Sequence, residues 1–113
     1  MNTRIEMVEV AARDGLQNEP GFFPTADKLE LIERAIASGS KRIEVASFVH
    51  PGRVPQMADA EAVCAGLPKR GRDDVTYIGL VLNKRGALRA LETQVHELGA
   101  VISASDGFGT RNQ

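Results

Sequence analysis

Short runs rich in β-branched residues alternate along the chain with longer stretches of helical periodicity. Four such runs are predicted as strands: Ile5–Val10, Arg42–Ala46, Val75–Leu82 and Ala100–Ala104. Three stretches between them are predicted as helices: about Thr25–Ser38, Ala58–Ala65 and Arg85–Leu98. Because strands and helices alternate, the pattern indicates right-handed βαβ units around a parallel sheet.

The first predicted helix has the clearest boundaries. Leu29, Ile32 and Ile36 are spaced three and four apart, which places them on one helical face. Thr25 is expected to cap the N-terminus, and Gly39 is expected to follow the last turn.

The third helix is predicted from an apolar stripe that ends before Gly99. The residues of the stripe are Leu88, Leu91, Val95 and Leu98. His96 is then expected on the solvated face of this helix, and Cys64 is expected to be a small core residue on the second helix.

Four strands and three helices fit either a small open α/β sheet or the first half of a (β/α)8 barrel. A complete barrel typically needs about 250 residues, so residues 1–113 would form a single, incomplete domain. On the half-barrel interpretation the inner face of the sheet is uncovered, so that Val45, Ile78, Leu80 and Ile102 or their neighbours would meet water. We therefore expect the chain to associate with itself or with a missing C-terminal half.

Composition narrows the class of protein and of partner. The chain has 42% hydrophobic and 26% charged residues, as an ordinary globular domain does. Its formal net charge of −1 argues against nucleic acid or an anionic membrane as a partner. No apolar run reaches the roughly 20 residues of a membrane helix. The single cysteine suits a reducing compartment, so we expect a cytoplasmic protein.

Polar residues follow the predicted strands, at the edge where ligands bind in parallel α/β folds. Asp14 could supply a hard oxygen ligand to Mg²⁺ or Mn²⁺, and Arg13 could offer a fork of donors to a carboxylate or oxyanion. Gly15 would permit the turn that aims both side chains inward. An ordinary Asx-type turn with a solvated arginine is the alternative.

Glu44 lies inside an apolar strand, between Ile43 and Val45, and the two-residue period places it on the opposite face from both. An inward carboxylate must be paired or must bind something. It could orient Arg13 or a metal-bound water, but it could equally form a structural ion pair or point outward into solvent.

Three ordered motifs resemble the hydroxymethylglutaryl-CoA lyase family. They are the run from Val10 to Glu19, reading VAARDGLQNE; the segments Ile43–Val49 and Val54–Met57; and Leu82-Asn83 with the following Lys84-Arg85-Gly86. The Leu-Gln-Asn-Glu continuation resembles the lyases more than the related isopropylmalate and homocitrate synthases.

The resemblance implies a (β/α)8 barrel, a divalent metal (Mg²⁺ or Mn²⁺) and cleavage of 3-hydroxy-3-methylglutaryl-CoA to acetyl-CoA and acetoacetate. Asp14 would be a metal ligand, Arg13 would stabilise the enolate, and Glu44 and Gln17 would support this arrangement. Ser47 and Asn83 would contact the acyl-CoA substrate. The remaining metal ligands and the catalytic cysteine of the family would come from later strands, so this chain alone is expected to be inactive.

Two further hypotheses stay open at this point. One is a related condensing synthase, which forms the corresponding bond. The other is a non-catalytic half-barrel that associates through its open strand edges.

Overall fold

A three-stranded parallel sheet, covered by helices, forms the centre of the molecule. The computed structural model describes residues 3–69 and 74–107. The strands are β1 (Arg42–Ser47), β2 (Thr76–Val81) and β3 (Glu97–Ala100), in the order β1-β2-β3. The α/β class and the parallel sheet predicted from the sequence are confirmed, and β1 and β2 lie within one residue of their predicted bounds at each end.

The predicted first strand is reduced to one bridge. Glu9 pairs in parallel with Ile43: its amide donates to the Arg42 carbonyl and its carbonyl accepts from the Glu44 amide, both at 2.9 Å. The rest of Ile5–Val10 does not join the sheet, and a cavity of about 490 Å³ is lined by this segment and residues 39–42.

Helix α1 (Thr25–Ala37) is confirmed, with a correction at its start. Pro24 rather than Thr25 occupies the N-cap position, and the Thr25 hydroxyl instead donates to Asp59 at 2.6 Å. At the other end Gly39 has a φ of 107°, and the Gly39 and Ser40 amides bond back to the last turn. This Schellman geometry favours glycine, as predicted.

The second and third helices are shorter than predicted. A 3₁₀ turn (Pro55–Met57) precedes α2 (Ala60–Ala65) where one helix over Ala58–Ala65 was expected. Helix α3 spans Lys84–Leu91, so the prediction Arg85–Leu98 is wrong in its second half.

The last residues of the predicted third helix form a strand in the structure. The predicted fourth strand therefore begins three residues earlier than expected. Strand β3 begins at Glu97 rather than Ala100, so Leu98 belongs to a strand. His96 is not a solvated helical residue: its ring stacks on Tyr77 at 5.3 Å between centroids, and its Nδ1 accepts the Tyr77 amide at 2.9 Å. Backbone pairing with β2 overrides the helical spacing of the leucines.

Much of the sheet face that was expected to be open is covered by the chain itself. Val45 and Ile78 are 2% and 7% exposed, so the expectation that they meet water is wrong. Residues 11–15 pack against β1, and Ala12 joins Val45 in the buried core. Leu80 is half-buried, and Ile102, at 91% exposed, does meet water as expected.

Candidate functional site

A short π-helical turn carries the Arg13-Asp14-Gly15 motif. Ala11–Gly15 form a single π-helical turn, in which the amides of Arg13, Asp14 and Gly15 all donate to the Val10 carbonyl. Such turns are rare and often occur at functional sites. The turn follows the Glu9 bridge and packs on β1, so it places Arg13 and Asp14 beside the strand that carries Glu44.

Arg13 and Glu44 form the central contact of the site. Arg13 Nε donates to Glu44 Oε1 at 2.7 Å, and the two side chains are 16% and 18% exposed. Arg13 Nη1 contacts Asp14 Oδ1 at 3.3 Å. Among the described residues Nη2 has no hydrogen-bond partner. The structure therefore brings three of the predicted site residues together. It leaves the Nη2 donors of the Arg13 guanidinium available to a ligand.

Two further predicted residues, Gln17 and Ser47, carry buried polar atoms. Gln17 Oε1 and Ser47 Oγ have no hydrogen-bond partner among the described residues, and Ser47 is fully buried. An unpaired buried polar atom costs roughly 1–3 kcal/mol, so such atoms call for a partner that binding or further polypeptide would supply.

Among the described residues no hydrogen bond joins Asn83 to Arg13, Glu44 or Ser47. Its Oδ1 accepts the Gly86 amide at 2.9 Å and so caps helix α3. It lines a cavity of about 340 Å³ that none of the Arg13, Glu44 and Ser47 side chains lines. Its capping role was missed from the sequence, although an Asn before a Lys-Arg-Gly-Ala-Leu run is an N-cap signal.

Arg89 was also missed as an organiser of this cavity. Its Nε and Nη2 form a bidentate pair with Glu61 at 2.8 and 2.7 Å, while Nη1 donates to the Val49 carbonyl at 3.1 Å. Its guanidinium carbon lies 5.6 Å from the centre of the Phe48 ring. No sequence pattern joins residues 61 and 89, because the pair forms only when α2 and α3 pack side by side.

Cys64 is not a candidate nucleophile. It is fully buried, as expected, and burial raises the pKa of its thiol from 9.0 to about 11. The thiol therefore stays protonated at neutral pH.

The described residues supply part of a metal site at most. Asp14 offers an accessible carboxylate, with its side chain 55% exposed. Within residues 3–69 and 74–107, however, no group of three or more His, Cys, Asp or Glu side chains could hold a metal ion. Asp14 alone is too few ligands for Mg²⁺ or Mn²⁺, which favour six oxygens.

Helices of the described ranges are too short, or too polar, to cross a bilayer. No family model matches the sequence.

Individual curated relatives do match. The chain is 45% identical over 109 residues to a 3-hydroxy-3-isohexenylglutaryl-CoA/hydroxymethylglutaryl-CoA lyase of Pseudomonas aeruginosa, covering 96% of this chain and 36% of the relative. It is 40% identical to an (R)-citramalyl-CoA lyase of Chloroflexus aurantiacus, covering 96% and 37%. The chain thus spans about a third of the length of the relatives it matches.

Solved structures agree with these relatives. A hydroxymethylglutaryl-CoA lyase of Acinetobacter baumannii, in complex with coenzyme A and 3-methylmalate, superposes with a TM-score of 0.88 at 43% identity, over 93% of this chain and 34% of that one. The Pseudomonas aeruginosa hydroxymethylglutaryl-CoA lyase gives a TM-score of 0.86 at 44% identity, over 96% and 36%. The chain is therefore a relative of hydroxymethylglutaryl-CoA lyases, similar in sequence and in fold to their N-terminal part.

Proposed function

We propose that this chain supplies the N-terminal part of the active site of a metal-dependent carbon–carbon lyase, with 3-hydroxy-3-methylglutaryl-CoA or a related 3-hydroxyacyl-CoA as substrate. The proposal rests on one observation above all, the Arg13–Glu44 contact through Nε, which fixes the guanidinium and leaves Nη2 without a partner among the described residues. Sequence similarity to lyases over 96% of the chain supports it.

In such a cleavage the 3-hydroxyl group loses its proton, the bond between C2 and C3 breaks, and the electron pair moves onto the thioester as an enolate. C2 is then protonated, which gives acetyl-CoA and, from this substrate, acetoacetate. Arg13 would donate to the developing enolate oxygen. Donors fixed in advance are most effective where charge develops, because they need no reorganisation during the reaction.

Glu44 would act as a positioning residue for Arg13. A carboxylate 2.7 Å from Nε restrains rotation of the guanidinium plane without occupying its outer nitrogens. Gln17 would support this arrangement, and Ser47 and Asn83 would contact the acyl-CoA.

Asp14 would contribute one carboxylate ligand to Mg²⁺ or Mn²⁺. The metal, when bound, would polarise the substrate oxygens and favour loss of the hydroxyl proton. The other ligands would have to come from polypeptide outside the described residues, because these residues hold no group of three candidate ligands.

The missing ligands and the open edges of the sheet point to the same partner. Ile5, Met7, Leu91 and Ile102 are between 69% and 91% exposed, and β1 and β3 are the outer strands of the described sheet. We propose that further polypeptide covers them and completes a (β/α)8 barrel, and that in its absence a second copy takes this place. Sedimentation velocity at tens of micromolar should then show dimers or larger species, and a single monomeric boundary would contradict this.

The direct test is a hybrid lyase. Residues 1–113 of this chain replace the matching segment of the Pseudomonas aeruginosa lyase, to which they are 45% identical over 109 residues. We expect the hybrid to release acetyl-CoA from 3-hydroxy-3-methylglutaryl-CoA, to lose activity with EDTA and to regain it with Mg²⁺ or Mn²⁺. The 113-residue chain alone should show no turnover. A folded but inactive hybrid, or an active isolated chain, would contradict the proposal.

The substrate panel should include (R)-citramalyl-CoA and the condensation partners. A relative at 40% identity is named as an (R)-citramalyl-CoA lyase, so a similar sequence is associated with another acyl group. Preference among the acyl-CoA substrates would identify the substrate, and bond formation without cleavage would favour the synthase alternative.

A further inference from the structure

Helix α1 carries a buried lysine near its start. The Lys28 side chain is 5% exposed, and its ammonium group donates to Asp59 Oδ1 at 2.6 Å and to the Gln56 carbonyl at 2.5 Å. Taking an ammonium group out of water is costly, and a buried ion pair can often be replaced by apolar side chains without loss of stability. Stability alone therefore does not explain a lysine at this position.

The two partners of Lys28 belong to the connection between β1 and α2. Gln56 is the middle residue of the 3₁₀ turn Pro55–Met57, and Asp59 directly precedes helix α2. Asp59 also accepts the Thr25 hydroxyl of α1 at 2.6 Å. One ammonium group thus fixes the 3₁₀ turn to α1 from below the surface.

The same 3₁₀ turn holds the polar segment of the candidate site. Gln56 Nε2 donates to the Glu19 carbonyl at 2.8 Å, and Met57 shares a buried apolar cluster with Leu16. Both contacts fall in residues 11–19, the site segment, which begins with the π-helical turn described above. The 3₁₀ turn therefore fastens the C-terminal end of the site segment, and Lys28 fastens the 3₁₀ turn.

We propose that Lys28 is a positioning residue for the lyase reaction, which holds Arg13 and Gln17 in place through the 3₁₀ turn and the site segment. This deepens the function proposed above and rests on it. Among the described residues no hydrogen bond joins Lys28 to Arg13 or Gln17, so its effect would pass through Gln56 and its neighbours. A misplacement of about 1 Å can cost about 100-fold in rate, so a buried contact remote from the chemistry can govern turnover.

The hybrid lyase tests this with two variants and a matched control. Lys28→Met keeps the length of the side chain and removes its charge, and it should lower kcat by about 10–100-fold with a much smaller change in KM. Gln56→Met removes only the half-buried side chain's bond to Glu19, and it should lower kcat by about 3–10-fold at a nearly unchanged melting temperature. The control, Ile32→Val, trims a fully buried residue one turn further along α1, and it should lower the melting temperature without changing kcat.

A double variant separates positioning from stability. Lys28→Met alone leaves the Asp59 carboxylate without its cation, so it should also lower the melting temperature. Adding Asp59→Asn removes that charge and keeps an acceptor for the Thr25 hydroxyl, so the melting temperature should rise again while kcat stays low. A kcat that returns together with the melting temperature, or an equal loss of kcat in Ile32→Val, would overturn the proposal.

Amide hydrogen exchange of the ligand-free hybrid gives a readout that needs no turnover. In Lys28→Met the site segment should exchange faster than in the wild-type hybrid, while β2 should exchange at the wild-type rate. Unchanged exchange in the site segment would contradict the proposed anchoring. If the wild-type hybrid has no lyase activity, the function proposed above fails, and the exchange rates still decide whether Lys28 holds the site segment.

Discussion

Two arginine–glutamate pairs involve β1 residues that lie two apart and so share one face of the sheet, and the pairs are built differently. Arg42, the first residue of β1, binds Glu97 of β3 through both terminal nitrogens, at 2.8 and 2.5 Å. Glu44, in the middle of the strand, accepts a hydrogen bond from Arg13 Nε at 2.7 Å and from no other nitrogen of that arginine. The first pair uses up the outer fork of its arginine, whereas the second keeps it open.

The difference indicates what each pair does. Arg42–Glu97 connects strands β1 and β3 across β2, and hydrogen bonding with Glu97 raises the pKa of Arg42, so its contacts favour the charged form. Nothing in this arrangement leaves a donor aimed at a ligand. Arg13 is bound by Glu44 at Nε but retains Nη2 without a hydrogen-bond partner among the described residues. Gln17 and Ser47, two other predicted site residues, also carry buried polar atoms without a partner there.

The largest effect is expected from exchanging Arg13 for alanine in the hybrid lyase. Arg13→Ala should lower kcat by about 100–1,000-fold, which is the usual effect of losing one oxyanion-stabilising donor. Arg13→Lys should recover little, because an ammonium group lacks the planar fork. Steady-state kinetics with 3-hydroxy-3-methylglutaryl-CoA would measure both variants.

Arg42→Ala is the matched control for this experiment. It should leave kcat near the wild-type value and lower the melting temperature instead, since it removes the link between β1 and β3. A lysine variant at residue 13 with nearly wild-type kcat, or an equal loss of kcat at residue 42, would remove the distinction between the two pairs.

A smaller effect is expected from the glutamates. Glu44→Gln keeps an acceptor for Arg13 Nε but removes the charge, so kcat should fall by about 10–100-fold, the equivalent of roughly 1.5–3 kcal/mol for a hydrogen bond to a charged group. Glu97→Gln, the same change at the other pair, should leave kcat unchanged. Loss of substrate affinity at constant kcat in Glu44→Gln would instead assign Glu44 to substrate binding.

The sequence predicted best the strands that the described chain itself buries. Strands β1 and β2 lie in the core, and their apolar runs reflect that burial. Ile5–Val10 carries a strand pattern too, but it forms a single bridge with β1, and Ile5 and Met7 are 80% and 78% exposed. Leu88 and Leu91 belong to the predicted apolar stripe of the third helix, yet they are 54% and 69% exposed. Periodicity identifies an apolar face of a helix but not the element that covers it.

The candidate site, like the fold, was predicted from the sequence only in part. Arg13, Asp14 and Glu44 were selected from motif and spacing, and the structure brings them into contact. This contact argues against a solvated Glu44 and fits both an acid that orients Arg13 and a structural ion pair. The sequence could not show that the contact runs through Nε, because that depends on how residues 11–15 pack on β1. Nor could it show that the pairing of β1 with β2 passes over Val45 as a β-bulge, because this depends on the register between strands distant in the chain. The single-residue offset that creates a bulge has no dependable sequence signal.

The smallest effect is expected at a third arginine–glutamate pair, Arg89–Glu61, whose contribution to stability depends on pH. Arg89 and Glu61 form a bidentate contact at 2.8 and 2.7 Å, so this pair resembles Arg42–Glu97 rather than Arg13–Glu44. The hydrogen bond from Arg89 lowers the pKa of Glu61 below its ordinary 4.5, against a smaller opposing effect of desolvation. A carboxylate with a lowered pKa stabilises the folded state above its unfolded pKa, and this contribution is lost as the pH falls through the folded value.

Glu61→Gln should therefore lower the free energy of unfolding at pH 6 by about 0.2–1 kcal/mol, and nearer the lower figure because the Glu61 side chain is 49% exposed. At a pH well below the folded pKa of Glu61 the difference from wild type should vanish. Urea unfolding of the hybrid at pH 6 and at successively lower pH would measure this, with kcat as the companion readout. Since Arg89 has every nitrogen engaged, to Glu61 and to the Val49 carbonyl, kcat should not change at pH 6. A loss of kcat comparable to that of Glu44→Gln would show that a saturated arginine pair can also serve the reaction.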